Sequence, residues 1–259
     1  MKNKNAFLNA PLLAAVFFFG LFAEHSQTQP LGRRDAFWQK YLAGSAGPIE
    51  YGADAACVDA QGNVYIAGNF QDGSLQSMRV AKWSAGQWQI LGDRFSGGRA
   101  EAIAVDGNGN VYLGGYFEIV RNSDGSEIDV ANIAKWNQAT GKWEALGNGV
   151  DDEVFALAID NSNNVYVGGN LTRGFNPNGS QVTIWRIGKW NAAQAVWESV
   201  GEGIVNTGNN PVTALALAAN GEVIVGAISP AYIIPAACKS TRITLRVGTA
   251  RAGQRLGKA

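Results

Sequence analysis

The chain is organised by an internal repeat. A segment that reads AACVDAQGNVYIAGNF begins at Ala55, and similar segments begin at Ala102, Ala156 and Ala214. All four copies keep the same spacing between the leading alanine and the valine that follows the turn, as between Ala55 and Val64. The copies begin 47, 54 and 58 residues apart. Repeats of about this length are typical of architectures in which one supersecondary unit stacks on the next. The repeat therefore constrains the fold more than any other feature of the chain.

Each repeat predicts four short β-strands. Alternating apolar residues end in an aspartate, and a turn such as Asp106–Asn110 then leads into Val111-Tyr112-Leu113. Gly and Asn in this turn supply the positive φ that a tight hairpin requires. A second block, IAKWNQATGKWEALG, places Trp136 and Trp143 on the third and fourth strands and ends at Gly147. Four antiparallel strands per repeat form one blade of a β-propeller.

Complete repeats and one partial repeat define the predicted architecture. We expect an all-β fold, in which residues 27–226 form an incomplete β-propeller of three full four-stranded antiparallel blades, a terminal strand and half a blade. The 33 glycines and the 16% of charged residues agree with short strands and tight turns rather than helices. Propellers contain about 4 to 8 blades. The repeats lie at 55–91, 102–146, 156–200 and 214–226.

Tryptophans and glycines recur at fixed positions in the repeats. The tryptophan pairs are predicted to fill the interfaces between blades. Trp38 precedes Ala55 by the same spacing that separates Trp197 from Ala214, so residues 36–42 are predicted to form a lone fourth strand. Such a strand can complete a blade begun at the other terminus. The predicted structural residues are Trp38, Trp83, Trp88, Trp136, Trp143, Trp190, Trp197, Gly114, Gly115, Gly168 and Gly169.

The repeated motifs resemble those of a known group of proteins. Val-Tyr-x-Gly-Gly-x-Phe, Ile-Ala-Lys-Trp-Asn and Trp-x-x-Leu-Gly-x-Gly are similar to the motifs of bacterial secreted β-propeller repeat proteins, with a layout like kelch-like and seven-bladed propeller repeats. The resemblance covers residues 36–226. It implies an extracellular propeller larger than this chain and supplies no catalytic residues. Because propellers host binding, scaffolding and enzymatic roles, the fold does not decide the function.

The amino terminus has the layout of a secretory signal peptide. Lys2 and Lys4 precede the apolar run Pro11–Ala23, which gives way to polar residues. We expect residues 1–26 to be cleaved, which leaves no membrane span and places the protein outside the cell, at the cell surface or in the periplasm. An uncleaved signal anchor is the alternative, although Asn9 and Pro11 interrupt the apolar stretch.

The repeat pattern stops after Gly226. Residues 227–259 contain no acidic residue and no tryptophan, but six basic residues: Lys239, Arg242, Arg246, Arg251, Arg255 and Lys258. Restoring one guanine in a back-translation of Val225–Ala231 gives Val-Gly-Gly-Asn-Phe-Thr-Gly, which is the missing repeat signature. We therefore predict that a single-nucleotide deletion near codon 226 produced a frameshifted, non-native tail.

A basic arm for nucleic acid or anionic surfaces is the alternative explanation of this tail. It lacks the interleaved aromatic residues that stack on bases, so no nucleic-acid partner is predicted. Without the two lysines and one glutamate of the leader and the six basic residues of the tail, the totals of 21 basic and 21 acidic residues fall to 13 and 20. Residues 27–226 are therefore acidic, as is ordinary for a soluble extracellular domain.

Few residues can supply enzyme chemistry. His25 is the only histidine and lies in the leader, which removes histidine-dependent nucleophile pairs and zinc sites. Cys57 and Cys238 are too few for a disulfide framework. No cofactor and no metal is predicted. Turns that resemble the start of a calcium loop lack its distal glutamate, so they are weak metal candidates, and their first residues are Asp59, Asp106 and Asp160.

Two loops are candidates for ligand binding. Residues 121–129 and 172–181 are longer than their counterpart in the first repeat and rich in polar residues. Plain surface insertions explain them as well, but binding loops commonly project from a rigid scaffold in this way. The acidic cluster Asp151–Glu153 is expected to be a solvated loop between blades. The candidate ligand-binding residues are Arg121, Asp124, Phe175 and Asn178.

These observations favour a secreted or cell-surface module that binds or scaffolds an extracellular protein or polysaccharide without catalysis. Two alternatives stay open. The chain could be part of a catalytic propeller of the lyase or glycosidase type whose active residues lie in missing blades. It could also be a truncated gene product without a function, because an open propeller exposes a strand edge and a tryptophan-lined face.

Overall fold

The computed structural model describes residues 53–72, 75–204, 211–227 and 243–245. The predicted signal peptide, Trp38 and most of the tail lie outside these residues. Within them we find only strands and connecting turns, and no helix that could span a membrane. In chain order the strands are β1 (Ala55–Val58), β2 (Val64–Asp72), β3 (Leu75–Ser84), β4 (Gln87–Ile90), β5 (Arg94–Ser96), β6 (Arg99–Val105), β7 (Val111–Tyr116), β8 (Ile119–Arg121), β9 (Glu127–Asp129), β10 (Ile133–Asn137), β11 (Lys142–Ala145), β12 (Val154–Ile159), β13 (Val165–Gly169), β14 (Arg173–Phe175), β15 (Gln181–Thr183), β16 (Ile187–Asn191), β17 (Val196–Ser199), β18 (Val212–Leu217), β19 (Val223–Ala227) and β20 (Ile243–Leu245).

The strands form three complete antiparallel blades. Blade 1 contains β1 to β4, blade 2 contains β6, β7, β10 and β11, and blade 3 contains β12, β13, β16 and β17. The first strands of successive blades contact one another, β1 with β6, β6 with β12 and β12 with β18. These strands therefore line the inner side of an arc, and the fourth strands lie on its outer side. The predicted all-β, incomplete propeller is confirmed.

A fourth unit begins after blade 3. Strands β18 and β19 pair antiparallel, like the first two strands of every blade. The next described strand, β20, lies parallel to β19. In contrast, the third strands β10 and β16 are antiparallel to their second strands. The described residues thus hold three complete blades and only the first two antiparallel strands of another.

A bulge recurs in the first strand of blades 2 and 3 and of the fourth unit. The pairing register shifts between Ala100 and Ala102, between Val154 and Ala156, and between Val212 and Ala214. Because a bulge extends the strand and re-aims the neighbouring side chains, β6 begins at Arg99 rather than at the repeat's leading alanine.

Glycines at the end of the second strands let the next blade approach. A Cβ atom at Gly114 would lie 2.6 Å from Cγ1 of Val154, and one at Gly168 would lie 2.4 Å from Cγ1 of Val212. Both valines begin the first strand of the following blade. Only a residue without a side chain permits this distance, so Gly114 and Gly168 set the spacing between blades.

Blades 2 and 3 each carry an inserted hairpin between their second and third strands. Strands β8 and β9 form the hairpin of blade 2, and β14 and β15 form that of blade 3. Each hairpin pairs with the link that enters its blade, because β5 pairs with β8 and Val150 pairs with Gly174. The loops 121–129 and 172–181 are therefore ordered β-structure that bridges adjacent blades.

Candidate binding face

One face of the arc carries both inserted hairpins. We name it the hairpin face: second strands end there, first and third strands begin there, and β5 lies along it. The opposite face carries the tight aspartate turns and the turns between third and fourth strands. Loops of unequal length thus gather on one side of a regular scaffold, which is how binding surfaces are commonly built.

Asp124 and Asn178 occupy equivalent positions at the tips of the two hairpins. The Oδ1 atom of Asp124 accepts hydrogen bonds from the main-chain N–H and the hydroxyl of Ser126, at 3.0 and 2.6 Å. Asn178 accepts the same pair from Ser180, at 2.9 and 2.7 Å. Hydrogen bonds from Lys142 and Ser126 hold the pKa of the exposed Asp124 carboxyl well below its usual range. Both side chains close a turn in addition to facing solvent.

Arg121 and Phe175 are also equivalent to each other. The Nε atom of Arg121 lies 3.6 Å from Oδ2 of Asp93, and the ring of Phe175 lies 5.9 Å from the guanidinium carbon of Arg173. Within the described residues, no hydrogen bond or ion pair joins one hairpin to the other. Each hairpin therefore holds two of the four candidate residues. Arg121 and Asp124 belong to the hairpin of blade 2, and Phe175 and Asn178 belong to that of blade 3.

Two buried asparagines fix the hairpins to the outer strands. Oδ1 of Asn122 accepts the main-chain N–H of Trp143 at 2.8 Å, and Oδ1 of Asn176 accepts that of Trp197 at 2.7 Å. Both asparagines are at most 5% exposed. They open the motif Asn-x-Asp/Asn-Gly-Ser in both loops, and this shared motif was the sequence signal for their role.

The same tryptophans connect each blade to the preceding one. The indole N–H of Trp143 donates to the carbonyl of Leu91 at 2.8 Å, and that of Trp197 donates to the carbonyl of Leu146 at 3.2 Å. Trp143 is fully buried and Trp197 is 2% exposed. The hairpins thus stand on rigid interfaces between blades.

An open hollow lies at the inner end of the hairpin face between blades 2 and 3. It is lined by Gly98, Arg99, Tyr116, Asp152 and Glu153. A second hollow adjoins it and shares Gly98 and Tyr116. Gly98 has φ = 63°, and a Cβ atom there would lie 1.5 Å from the carbonyl oxygen of Tyr116. Glycine is therefore required for the backbone to pass beneath Tyr116.

Carboxylates surround a single guanidinium in the first hollow. Arg99 forms ion pairs with Glu101 and with Glu153, the second at 2.8 Å, and these carboxylates raise the pKa of Arg99. Burial raises the pKa of the nearby Asp54 carboxyl, and Arg99 partly opposes this effect. Since Asp152 also lines the hollow, acidic groups outnumber the cation.

Asp151 holds the hairpin of blade 3 rather than lying in a solvated loop. Its Oδ1 accepts main-chain N–H groups of Thr172 and Arg173 at 2.8 and 2.9 Å, and its Oδ2 accepts the Thr172 hydroxyl at 2.5 Å and Nε of Arg173 at 3.2 Å. Burial alone would raise the pKa of this carboxyl. The hydrogen bonds outweigh burial and keep the pKa below its usual value.

The exposed aromatic side chains of the described residues concentrate on the hairpin face. Tyr116, at the end of β7, is 54% exposed, and Trp185, just before β16, is 44% exposed. Both depart from the repeat: Tyr116 stands where blades 1 and 3 have asparagine, and Trp185 stands where blade 2 has Ala131. Such departures from the consensus could have indicated Tyr116 and Trp185 from the sequence.

The aspartates of the tight turns lie on the opposite face and are engaged in hairpin closure. Oδ1 of Asp106 accepts the N–H groups of Asn108 and Asn110, both at 2.9 Å, and Oδ2 accepts the Tyr112 hydroxyl at 3.2 Å. Asp59 and Asp160 make the same main-chain contacts. Among the described residues, no group of three or more potential metal-ligating side chains comes together.

Comparisons with known proteins give structural neighbours only. No protein-family model matches the chain, and no curated protein matches it. The extracellular domain of BT4673 from B. thetaiotaomicron aligns at 10% identity and TM-score 0.38, over 68% of this chain and 25% of that one. The WD40 β-propeller domain of Doa1 aligns at 12% identity and TM-score 0.32, over 66% and 74%. The gluconolactonase XC5397 from Xanthomonas campestris aligns at 10% identity and TM-score 0.25, over 66% and 67%. The chain spans about a quarter of the length of the BT4673 domain.

Proposed function

We propose that this protein is a secreted or cell-surface propeller that binds an extracellular protein or polysaccharide through its hairpin face and catalyses no reaction. The observation that carries the proposal is the placement of Tyr116 and Trp185. Both are large, exposed aromatic side chains, and both lie on the face that also holds the hollows and the hairpins. The leader-like residues 1–26 support the extracellular location.

The chemistry of this face suits recognition. Tyrosine, tryptophan and arginine are the residues most enriched at binding hot spots, and Tyr116 stands beside Arg99 in the first hollow. Asn122 and Asn176 hold the hairpins in place before any ligand arrives. Preorganisation of this kind reduces the entropy lost on binding.

Binding of the full chain to a panel of immobilised polysaccharides and purified extracellular proteins tests the proposal. Tyr116→Ala and Trp185→Ala should each weaken binding of the captured ligand by about tenfold or more, as at an aromatic hot spot. Gln194→Ala is the matched control, because Gln194 is exposed on the opposite face. A ligand whose affinity falls only with Gln194→Ala, or turnover of a panel polysaccharide, would contradict the proposal.

We also propose that residues 227–259 are translated in a shifted reading frame. In support, the strand pairing typical of a blade reaches Ala227, and the next described strand is the parallel β20. The expressed chain is then an open arc that ends in an incomplete blade. If its product aggregates instead of unfolding cooperatively as a soluble monomer, the binding function belongs to the chain with the restored frame.

A further inference from the structure

The indole N–H of Trp88 is buried and has no hydrogen-bond partner among the residues that the structure describes, which sets it apart from the equivalent tryptophans of blades 2 and 3. Trp143 and Trp197 occupy the same position in blades 2 and 3, and each donates to a main-chain carbonyl of the preceding blade. A buried donor without an acceptor is costly, and such groups are rare in folded proteins. The Trp88 position therefore indicates a missing acceptor.

Trp88 belongs to an apolar face that blade 1 shares with no other described blade. All members of this cluster come from blade 1: Ala53, Ala56, Val64, Ile66, Phe70, Ala81, Trp88 and Ile90. In blade 2 the equivalent residues Val111, Leu113, Ala134 and Trp143 belong to the core shared with blade 1. The same face thus packs against a preceding blade wherever the described residues include one.

We propose that residues 36–42 of the same chain cover this face as the fourth strand of a preceding blade, with the carbonyl of Tyr41 accepting the Trp88 indole N–H. The register comes from the two observed contacts. Leu91 lies three residues after Trp88, and Leu146 lies three residues after Trp143, and both supply the acceptor carbonyl. Tyr41 lies three residues after Trp38.

The length of the intervening chain favours this segment over a second copy of the protein. The link from Tyr41 to Ala55 is as long as the link from Val200 to Ala214, which enters the fourth unit. The corresponding link from Leu91 to Ala102 is slightly shorter and still joins two adjacent blades. Since the shorter link already joins neighbouring blades, the link from Tyr41 to Ala55 is long enough for residues 36–42 to reach the face.

Nuclear Overhauser contacts of the indole N–H groups in the full chain test the inference directly. The Trp88 resonance, assigned by its loss in Trp88→Phe, should show contacts to main-chain hydrogens of residues 41–42. The Trp143 indole should show the corresponding contacts to residues 91–92, which serves as an internal control for correct folding. Contacts of the Trp88 indole to any other segment would overturn the register.

Indole hydrogen exchange provides the second measurement. Replacing residues 36–42 by a Gly/Ser segment of equal length should accelerate exchange at Trp88 by about tenfold, the effect of losing one hydrogen bond, and leave Trp143 and Trp197 protected. Unchanged exchange at Trp88 would contradict the proposal. Protection of Trp88 that rises with protein concentration would assign the face to a second copy and overturn it as well.

Discussion

Blade 3 and the fourth unit begin in the same way and differ after Gly226. In each, the first two strands pair antiparallel with a bulge at the same position, and the first strand packs a valine against a glycine of the preceding blade. Blade 3 continues with two antiparallel strands whose tryptophans, Trp190 and Trp197, pack together at 5.4 Å between ring centroids. After β19, the described part of the fourth unit contains only β20, which pairs parallel to β19.

This difference shows which parts of a blade are determined locally. The turn of the fourth unit has Ala218 in place of the usual aspartate, yet it closes through the same main-chain bonds, Ala218 N–H to Glu222 at 2.9 Å and Gly221 N–H to Ala218 at 2.9 Å. Ile224 replaces the tyrosine whose hydroxyl contacts that aspartate in blades 1 and 2. The first hairpin therefore needs little beyond its turn and the preceding blade. In blades 2 and 3, hydrogen bonds of tryptophans and asparagines additionally hold the outer half of the blade.

The largest loss of stability is expected from replacing Trp143, the buried tryptophan on the fourth strand of blade 2. Trp143→Ala should lower the free energy of unfolding by about 3–5 kcal/mol, because it removes a fully buried side chain and leaves the Leu91 carbonyl without its donor. Chemical denaturation measures this change. Trp185→Ala removes an exposed tryptophan and should cost about 1 kcal/mol or less. Equal losses of stability for Trp143→Ala and Trp185→Ala would show that the position of Trp143 between the blades does not contribute specifically to stability.

A smaller loss is expected when the hairpin is released from the outer strand. Asn176→Ala should destabilise the protein by about 1–3 kcal/mol, because the buried main-chain N–H of Trp197 loses its acceptor. The exposed Asn178, two residues away in the same turn, is the control, and Asn178→Ala should have a clearly smaller effect. Equal denaturation midpoints for Asn176→Ala and the unmodified chain would refute this role.

Matched glycine substitutions compare blade 3 with the fourth unit directly. Gly168→Ala should cost about 1–3 kcal/mol, because the new Cβ would lie 2.4 Å from Val212. Gly226→Ala at the equivalent position should cost less, because its closest contact is Ala214 Cβ at 3.1 Å and no described blade follows. Thermal unfolding of both variants checks the order. A larger loss for Gly226→Ala would reveal a blade packed beyond it.

The smallest expected effect depends on pH. Because the folded pKa of Asp151 is below its usual value, the ionised carboxyl stabilises the protein above the unfolded pKa of about 4, and this stability is lost as the pH falls through the folded pKa. Asp151→Asn should therefore destabilise the protein at pH 7, and the difference should shrink under acidic conditions. Ser96→Ala, at the equivalent position of blade 2, should show no such pH dependence. A constant difference from pH 7 to pH 3 would contradict the assignment.

The blades could be predicted from sequence because their determinants recur at fixed spacing and act locally. The inserted hairpins could not, since such short strands show no alternation and β8 pairs with a link that is distant in sequence, as Ile119 does with Ser96. The hollow could not be predicted either, because the residues that line it are distant in sequence. Arg99 and Glu153 belong to different repeats and meet only because the first strands of blades 2 and 3 are neighbours.

We propose that the fourth unit is a propeller blade interrupted by a shifted reading frame. Resequencing the gene from genomic DNA across codons 220–235 tests it most directly. We predict one additional guanine near codon 226, which would make the chain continue after Val225 as Gly-Gly-Asn-Phe-Thr-Gly and then into further blade motifs. An intact reading frame through codon 259, with no propeller signature in any alternative frame downstream, would contradict the claim.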